Sequence, residues 1–175
     1  MQSDASTLYK LIILYMLDKV DFPLTNAQIT DFILEKDYTN YFNVQQSISE
    51  LRDTDLITSE TIRNSSYFKI TDAGRETIHF FDSDISEAIR NDIDKFLHEN
   101  KYELRQEVSI LADYYENKKD EFIATCYVRE QGSKLVEVSL SVSTEEEART
   151  ICNNWKNKSQ DVYAYLIQNL MTEQR

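Results

Sequence analysis

The chain has 175 residues, 41% of them hydrophobic and 11% aromatic, which is enough for one medium core or two small ones. A net charge of −12, with two glycines and one proline, excludes a broadly basic nucleic-acid surface, glycine-rich phosphate loops and a flexible linker. Two cysteines, Cys126 and Cys152, lie far apart without a CxxC or Cys/His cluster, which excludes a disulfide framework or a zinc site and predicts core thiols in a reducing compartment.

The N-terminus MQSDASTLYK has no basic n-region or cleavage site, and the longest apolar run, Leu11 to Leu17, is far below the roughly 20 residues a bilayer requires. A cytoplasmic location with no membrane contact is expected. The first helix is predicted over Ser6 to Lys19. Leu8, Leu11, Ile12, Tyr15 and Met16 mark one face, and Ile13, Leu14 and Leu17 make the other side apolar as well. Such a helix needs cover on both sides, from its own domain plus a second layer, either the C-terminal domain or a second subunit.

Pro23-Leu24-Thr25-Asn26-Ala27-Gln28 is a helix start, in which Thr25 and Gln28 form a capping box and Leu24 staples onto Ile29. That second helix runs to Glu35 and buries Ile29, Phe32 and Ile33. A third fits Asn40 to Thr54, with Tyr41, Val44, Ile48 and Leu51 on its buried stripe. Phe42, Asn43, Gln46, Ser49, Glu50 and Asp53 occupy the opposite face. Leu56-Ile57-Thr58 and Tyr67 to Thr71 read as a hairpin with a four-residue tip, Arg63-Asn64-Ser65-Ser66. Thr71 or Asp72 then caps a fourth helix through Phe81.

Phe81-Asp82-Ser83-Asp84 interrupts the helical pattern and sets the expected domain boundary, giving domains 1–81 and 82–175. A further helix follows with Ile85, Ile89, Ile93, Phe96 and Leu97. Beyond Lys101 the apolar period becomes two, predicting three strands around Val108 to Tyr114, Phe122 to Val128 and Val136 to Val142. Turns at Asn117 to Asp120 and Gln131-Gly132-Ser133 make them an antiparallel meander. Ser143 to Glu147 is a second capping box, opening a helix through Trp155, and a last helix carries Val162, Tyr163, Leu166, Ile167 and Leu170. The expected fold class is α+β: three helices, a β-hairpin and a fourth helix, then a two-layer α/β domain with flanking helices.

The winged-helix expectation rests on element order together with Ile29 to Leu34, Val44 to Ile57 and especially Ile70-Thr71-Asp72-Ala73-Gly74-Arg75. These resemble winged-helix transcription regulators, where the strand leaving the wing commonly runs into Leu/Ile-Thr-x-x-Gly-Lys/Arg. In outline the whole chain also resembles an uncharacterised family of anaerobic Gram-positive bacteria, a domain of unknown function placed among winged-helix regulators, which brings no ligand or activity. The resemblance implies a DNA-binding regulator with residues 40–54 as recognition helix and 57–71 as wing.

Asn40, Asn43, Gln45 and Gln46 are suited to bidentate contacts with adenine, and Phe42 to a thymine methyl, with Ser49 on the same face. Arg52, Arg63, Asn64 and Lys69 are the groups available to phosphates. Against this, residues 1–80 hold seven positive side chains and twelve acids. The alternative is a winged-helix adapter that binds a protein through the acidic third helix, without DNA.

No enzymatic activity and no cofactor are expected. His79 and His98 lack neighbouring ligands or nucleophiles, and the pairs Glu103/Glu107 and Glu145/Glu146 sit at a helix-to-strand transition and a helix N-terminus, where acids are routine. Tyr114, Tyr115, Tyr127, Tyr163 and Tyr165 read as half-buried core with wet hydroxyls, and Trp155 as a core anchor. The C-terminal domain is expected to supply homodimerisation or sensing of an unknown small-molecule effector or protein partner.

Overall fold

A computed structural model describes residues 4–173. Among these, six α-helices and two three-stranded antiparallel sheets form two compact units that divide between Val108 and Ser109.

The first unit opens with α1 (Ala5–Asp18), β1 (Leu24–Thr25), α2 (Asn26–Glu35) and α3 (Tyr41–Asp53). The hairpin β2 (Ile57–Ile62) and β3 (Ser65–Ile70) follows, then α4 (Asp72–Phe80), a 3-10 turn (Asp82–Asp84) and α5 (Glu87–Ser109). Caps place the helix starts. Thr25 Oγ1 accepts from Gln28 N at 3.1 Å while Gln28 Oε1 accepts from Thr25 N at 2.9 Å, the reciprocal box expected from the sequence. Asn40 and Thr71 cap α3 and α4 by accepting from Asn43 N and Gly74 N.

Three local features depart from the sequence reading. Leu24 and Thr25, read only as staple and cap, also form a strand that pairs with β3 at Phe68 and Tyr67. The hairpin tip has two residues, not four: the ladder continues to Ile62↔Ser65, and Arg63 and Asn64 both adopt positive φ, 47° and 64°. That is the left-handed pair a tight turn between twisted strands requires. Tyr41, placed on the buried stripe of α3, is 61% exposed, because as the first helical residue it projects beyond the core that covers Val44, Ile48 and Leu51.

The break at Asp82 to Asp84 is real, but the units divide between Val108 and Ser109 instead of at 81/82. Helix α5 continues well past Lys101 and delivers Ile93, Leu97, Leu104 and Val108 to the same core as Leu11 to Leu17 of α1. It is therefore the second layer that the all-round apolar first helix requires. Glu103 and Glu107 lie in the last two turns of α5, which passes directly into the strand that begins at Ile110, the helix-to-strand transition expected for them.

Polar contacts fix α5 in register on this unit. Tyr15 Oη donates to Asp94 at 3.1 Å, Tyr38 Oη to Asp92 at 2.6 Å and Gln28 Nε2 to Glu107 at 2.7 Å. Phe32 packs on Phe96 with ring centroids 4.7 Å apart. Burial, and secondarily the Asp94 carboxylate, pushes the Tyr15 phenol up to about 12; burial and then Asp92 raise that of Tyr38.

A raised folded-state value favours the neutral phenol. Its contribution to stability is therefore complete below the ordinary tyrosine value near 10 and falls as pH climbs through the folded value. Urea unfolding measured from neutral pH to about pH 12 is expected to show stability falling above about pH 10. The double variant Tyr15→Phe, Tyr38→Phe should start less stable and lose less over the same interval. An unchanged slope in that variant would refute the assignment.

The second unit is the predicted meander. Strands β4 (Ile110–Lys118), β5 (Glu121–Glu130) and β6 (Ser133–Val142) lie in that order, and the β5–β6 turn uses Gln131 and Gly132 at positive φ, 49° and 80°. The β4–β5 connection is tighter than expected, since the strands reach Lys118 and Glu121. Instead of two helices there is one, α6 (Glu145–Leu170), capped by the Thr144/Glu147 box. Nothing between Trp155 and Val162 breaks it, since that stretch holds neither Gly nor Pro. Ala112, Ala124, Cys126, Ala148, Cys152 and Trp155 make the core, with Trp155 Nε1 donating to the Tyr127 carbonyl at 3.1 Å. Both cysteines are buried as thiols.

Candidate nucleic-acid interface

Four turns of α3 carry the candidate contact residues, and the fold divides them sharply. Asn40, Phe42 and Gln46 are exposed, Phe42 to 72%. Asn40 spends its Oδ1 on the cap, accepting from Asn43 N at 2.9 Å. Asn43 is half-buried and donates through Nδ2 to Thr39 Oγ1 at 2.8 Å. Ser49 is half-buried.

Gln45 is the clear correction among these residues. Its amide is turned into the unit, where Nε2 donates to Asn26 Oδ1 at 2.9 Å and Thr30 Oγ1 at 3.0 Å, and Oε1 accepts from Asn26 Nδ2 at 2.7 Å. This reciprocal amide pair latches α3 to α2, so Gln45 is unavailable to a base edge. Sequence spacing placed it between the two faces, and only the position of Asn26 decided its direction.

A residue that the sequence reading passed over modifies the charge of the helix. Lys10 of α1 donates to Glu50 Oε2 at 2.9 Å, while Gln46 Nε2 donates to Glu50 Oε1 at 3.1 Å. These bonds, the lysine's first, hold the Glu50 carboxyl below its ordinary value. Glu50 is thus a paired anion, and Asp53, 3.9 Å from Arg52, remains the acid toward the tail of α3. Lys10 lies forty positions from Glu50 and carries no sequence signal for this role.

The basic groups are dispersed. Arg52 and Lys69 are exposed, the latter on β3 opposite Thr58, and Arg63 is half-buried at the hairpin turn beside exposed Asn64. Asn64, Ser66 and Tyr67 border a polar cleft of about 430 Å³ with Thr25, Asn26 and Glu107. The carboxylate of Glu107 there disfavours an anion. A second depression, of about 400 Å³ and mostly apolar, lies between α1, α3 and α4 along Leu11, Leu14, Leu51 and Phe81, rimmed by the Lys10–Glu50 pair.

The histidines fall outside any such constellation: His98 is exposed, and exposed His79 sits 3.1 Å from Asp18. Among the described residues no group of three or more His, Cys, Asp or Glu side chains is arranged to hold a metal ion, and no helix is long and apolar enough to cross a membrane.

Neither a curated protein nor a solved structure matches this chain. A family model described as "Domain of unknown function (DUF4364)" matches residues 9–170, and the chain belongs to that family.

Proposed function

We propose that the chain is a DNA-binding transcription regulator whose first unit is a winged helix, with α3 as recognition helix and the β2–β3 hairpin as wing, and whose second unit supplies assembly. The observation that carries this reading is the exposed tip of α3, where Asn40, Phe42 and Gln46 stand clear of the core. An apolar ring for a thymine methyl beside amides for adenine is the composition a major-groove contact uses. The element order, the Ile70 to Arg75 sequence and the short β1 strand closing the hairpin support the winged-helix assignment. The Lys10–Glu50 pair supports it further by removing one uncompensated anion from the approaching face.

The exposed aromatic pair Tyr41 and Phe42 favours a second reading, an adapter that docks a protein on the same tip, because exposed rings are also the mark of protein interfaces. Selection from a random duplex pool at low salt separates the two. For the DNA reading, the purified protein enriches a sequence and binds it with salt-dependent affinity. Gln46→Ala then weakens the enriched site by about 1–3 kcal/mol and relaxes one position. Arg63→Ala combined with Lys69→Ala lowers the slope of log K against log salt by about 2 without changing the preferred sequence. Absence of any salt-sensitive binding would reject the DNA reading.

A further inference from the structure

Strand β6 lies at the outer edge of its sheet, in the order β4-β5-β6, and has no neighbour on its far side among the described residues. Alternate residues of such a strand turn their N–H and C=O groups away from the sheet, which makes it a template for one more strand. The two edges are built differently. β4 carries Asp113, Glu116 and Lys118 and a register break between Glu116 and Lys118, charges and a bulge being the usual guards of an edge. In β6 the irregularity is confined to its start, beside Arg129, and residues 136–142 pair with β5 one for one, from Val128↔Val136 to Phe122↔Val142. That stretch holds neither Gly nor Pro, and Glu137 is its one charge. Helix α6 packs chiefly on β4 and β5, and Leu140, on the helix side of β6, is 47% exposed although its β5 partner Ala124 is fully buried.

We propose that residues 136–142 pair antiparallel with the same residues of a second copy about a twofold axis at Ser139, joining the two three-stranded sheets into one. The sequence Val-Glu-Val-Ser-Leu-Ser-Val selects the occupant, because its chemistry reads nearly alike from either end. In this register Val136 stands opposite Val142 of the second copy, Val138 opposite Leu140, Glu137 opposite Ser141 and Ser139 opposite Ser139. Directly opposed residues of an antiparallel pair share a face, so the apolar side chains meet apolar partners on the helix side and the polar ones meet polar partners on the other. Neighbouring registers do worse. An axis at Val138 sets Lys134 against Val142, one at Leu140 sets Val136 against Thr144, and a shift by half a step sets Val138 against a serine. Parallel pairing in register would place Glu137 beside Glu137.

Charges along the seam are balanced within each copy. Each Glu137 keeps its own Lys134, and Glu121, to which Ser141 Oγ donates at 3.3 Å, lies 3.9 Å from Lys118. The new boundary forms about six to eight backbone hydrogen bonds and buries on the order of 1,000 Å² in total, near the lower limit for a specific contact. A reversible dimer of micromolar affinity is the expected result. The inference deepens the assembly role assigned to the second unit, and it is read without DNA, so its failure leaves the recognition-helix reading standing and the reverse also holds.

Light scattering across a concentration series of the full chain, with no nucleic acid present, should show mass rising from one copy to two. Ser139→Lys and Ser139→Glu, at an exposed position, each set like charges face to face at the axis and should each weaken self-association by at least ~10-fold. The two variants mixed should recover the dimer, a rescue that damage to the fold could not produce. Ser139→Cys should form an intermolecular disulfide under oxidised glutathione, because opposed Cα atoms lie about 4.5–5.5 Å apart. Ser141→Cys, offset from its counterpart by four residues or about 13 Å, should not. The native Cys126 and Cys152 are buried and do not compete. A wild-type chain that stays monomeric at every concentration, a mixture that fails to re-form the dimer, or equal disulfide formation at 139 and 141 would each overturn the proposal.

Discussion

Gly74→Ala is expected to destabilise the first unit by about 3 kcal/mol, although the same change at an ordinary helix position stabilises by about 1 kcal/mol. Gly74 lies in the first turn of α4, where Thr71 caps the helix and also donates from Oγ1 to the Asp55 carbonyl at 2.7 Å, drawing the turn onto the α3–β2 connection. A Cβ there would stand 2.2 Å from the Leu56 carbonyl oxygen and 2.7 Å from Ile70 Cγ1. The Leu56 carbonyl cannot simply move, because it accepts from Thr71 N at 3.1 Å. Relief therefore has to come from displacing α4 and its buried Ile78.

Gly132 supplies the control. Nothing lies within 4 Å of a Cβ added there, and its φ of +80° is the constraint, so Gly132→Ala should cost only about 1 kcal/mol, in backbone strain. Urea unfolding followed by far-UV circular dichroism checks both variants. A Gly74→Ala protein as stable as wild type would mean that α4 does not approach the Leu56 carbonyl this closely.

Trp155→Ala is expected to cost the second unit 3–5 kcal/mol, roughly the whole stability of a domain this small. The reason is the composition of its core: Ala112, Ala124, Cys126, Ala148 and Cys152 are all small, so the indole is the one large side chain among the cluster's fully buried residues and its removal leaves a large cavity between sheet and helix. Trp155→Phe retains most of the apolar volume but removes the indole N–H that donates to the Tyr127 carbonyl at 3.1 Å; about 1 kcal/mol is expected for that change. Hydrogen exchange of the β4 and β5 amides reports the loss directly. Intact protection in the alanine variant would show that another side chain, not Trp155, anchors this core.

How much of this was legible in advance differs by element. Helix starts were, since Thr25/Gln28, Thr71 and Thr144/Glu147 act within four residues and their geometry is local. So was the meander, because period-two alternation with Gly132 at a turn leaves few other solutions. The two-residue strand β1 has no period to read, and the continuity of α6 through Lys156 to Asp161 was hidden because a polar stretch of a helix resembles a linker in sequence. Helix α5 outran its expected end for a related reason: Val108 and Ile110 fit alternation as well as they fit a last helical turn, and packing of Leu104 and Val108 against the first core settles which.

Among the candidate contact residues, Phe42 and Gln46 were readable as outward-facing from helical spacing alone, and the structure keeps both exposed. The inward turn of Gln45 and the pairing of Glu50 were not, because each depends on a partner from another helix, Asn26 and Lys10. By itself the sequence determined the caps, the hairpin and meander, the apolar faces and the acidic charge, all consequences of interactions spanning a few residues or of composition. Tertiary structure alone decided which unit owns α5 and which polar side chains of α3 remain open to a partner. Those outcomes depend on which surfaces meet across long sequence separations, and a linear pattern specifies a face without specifying what covers it.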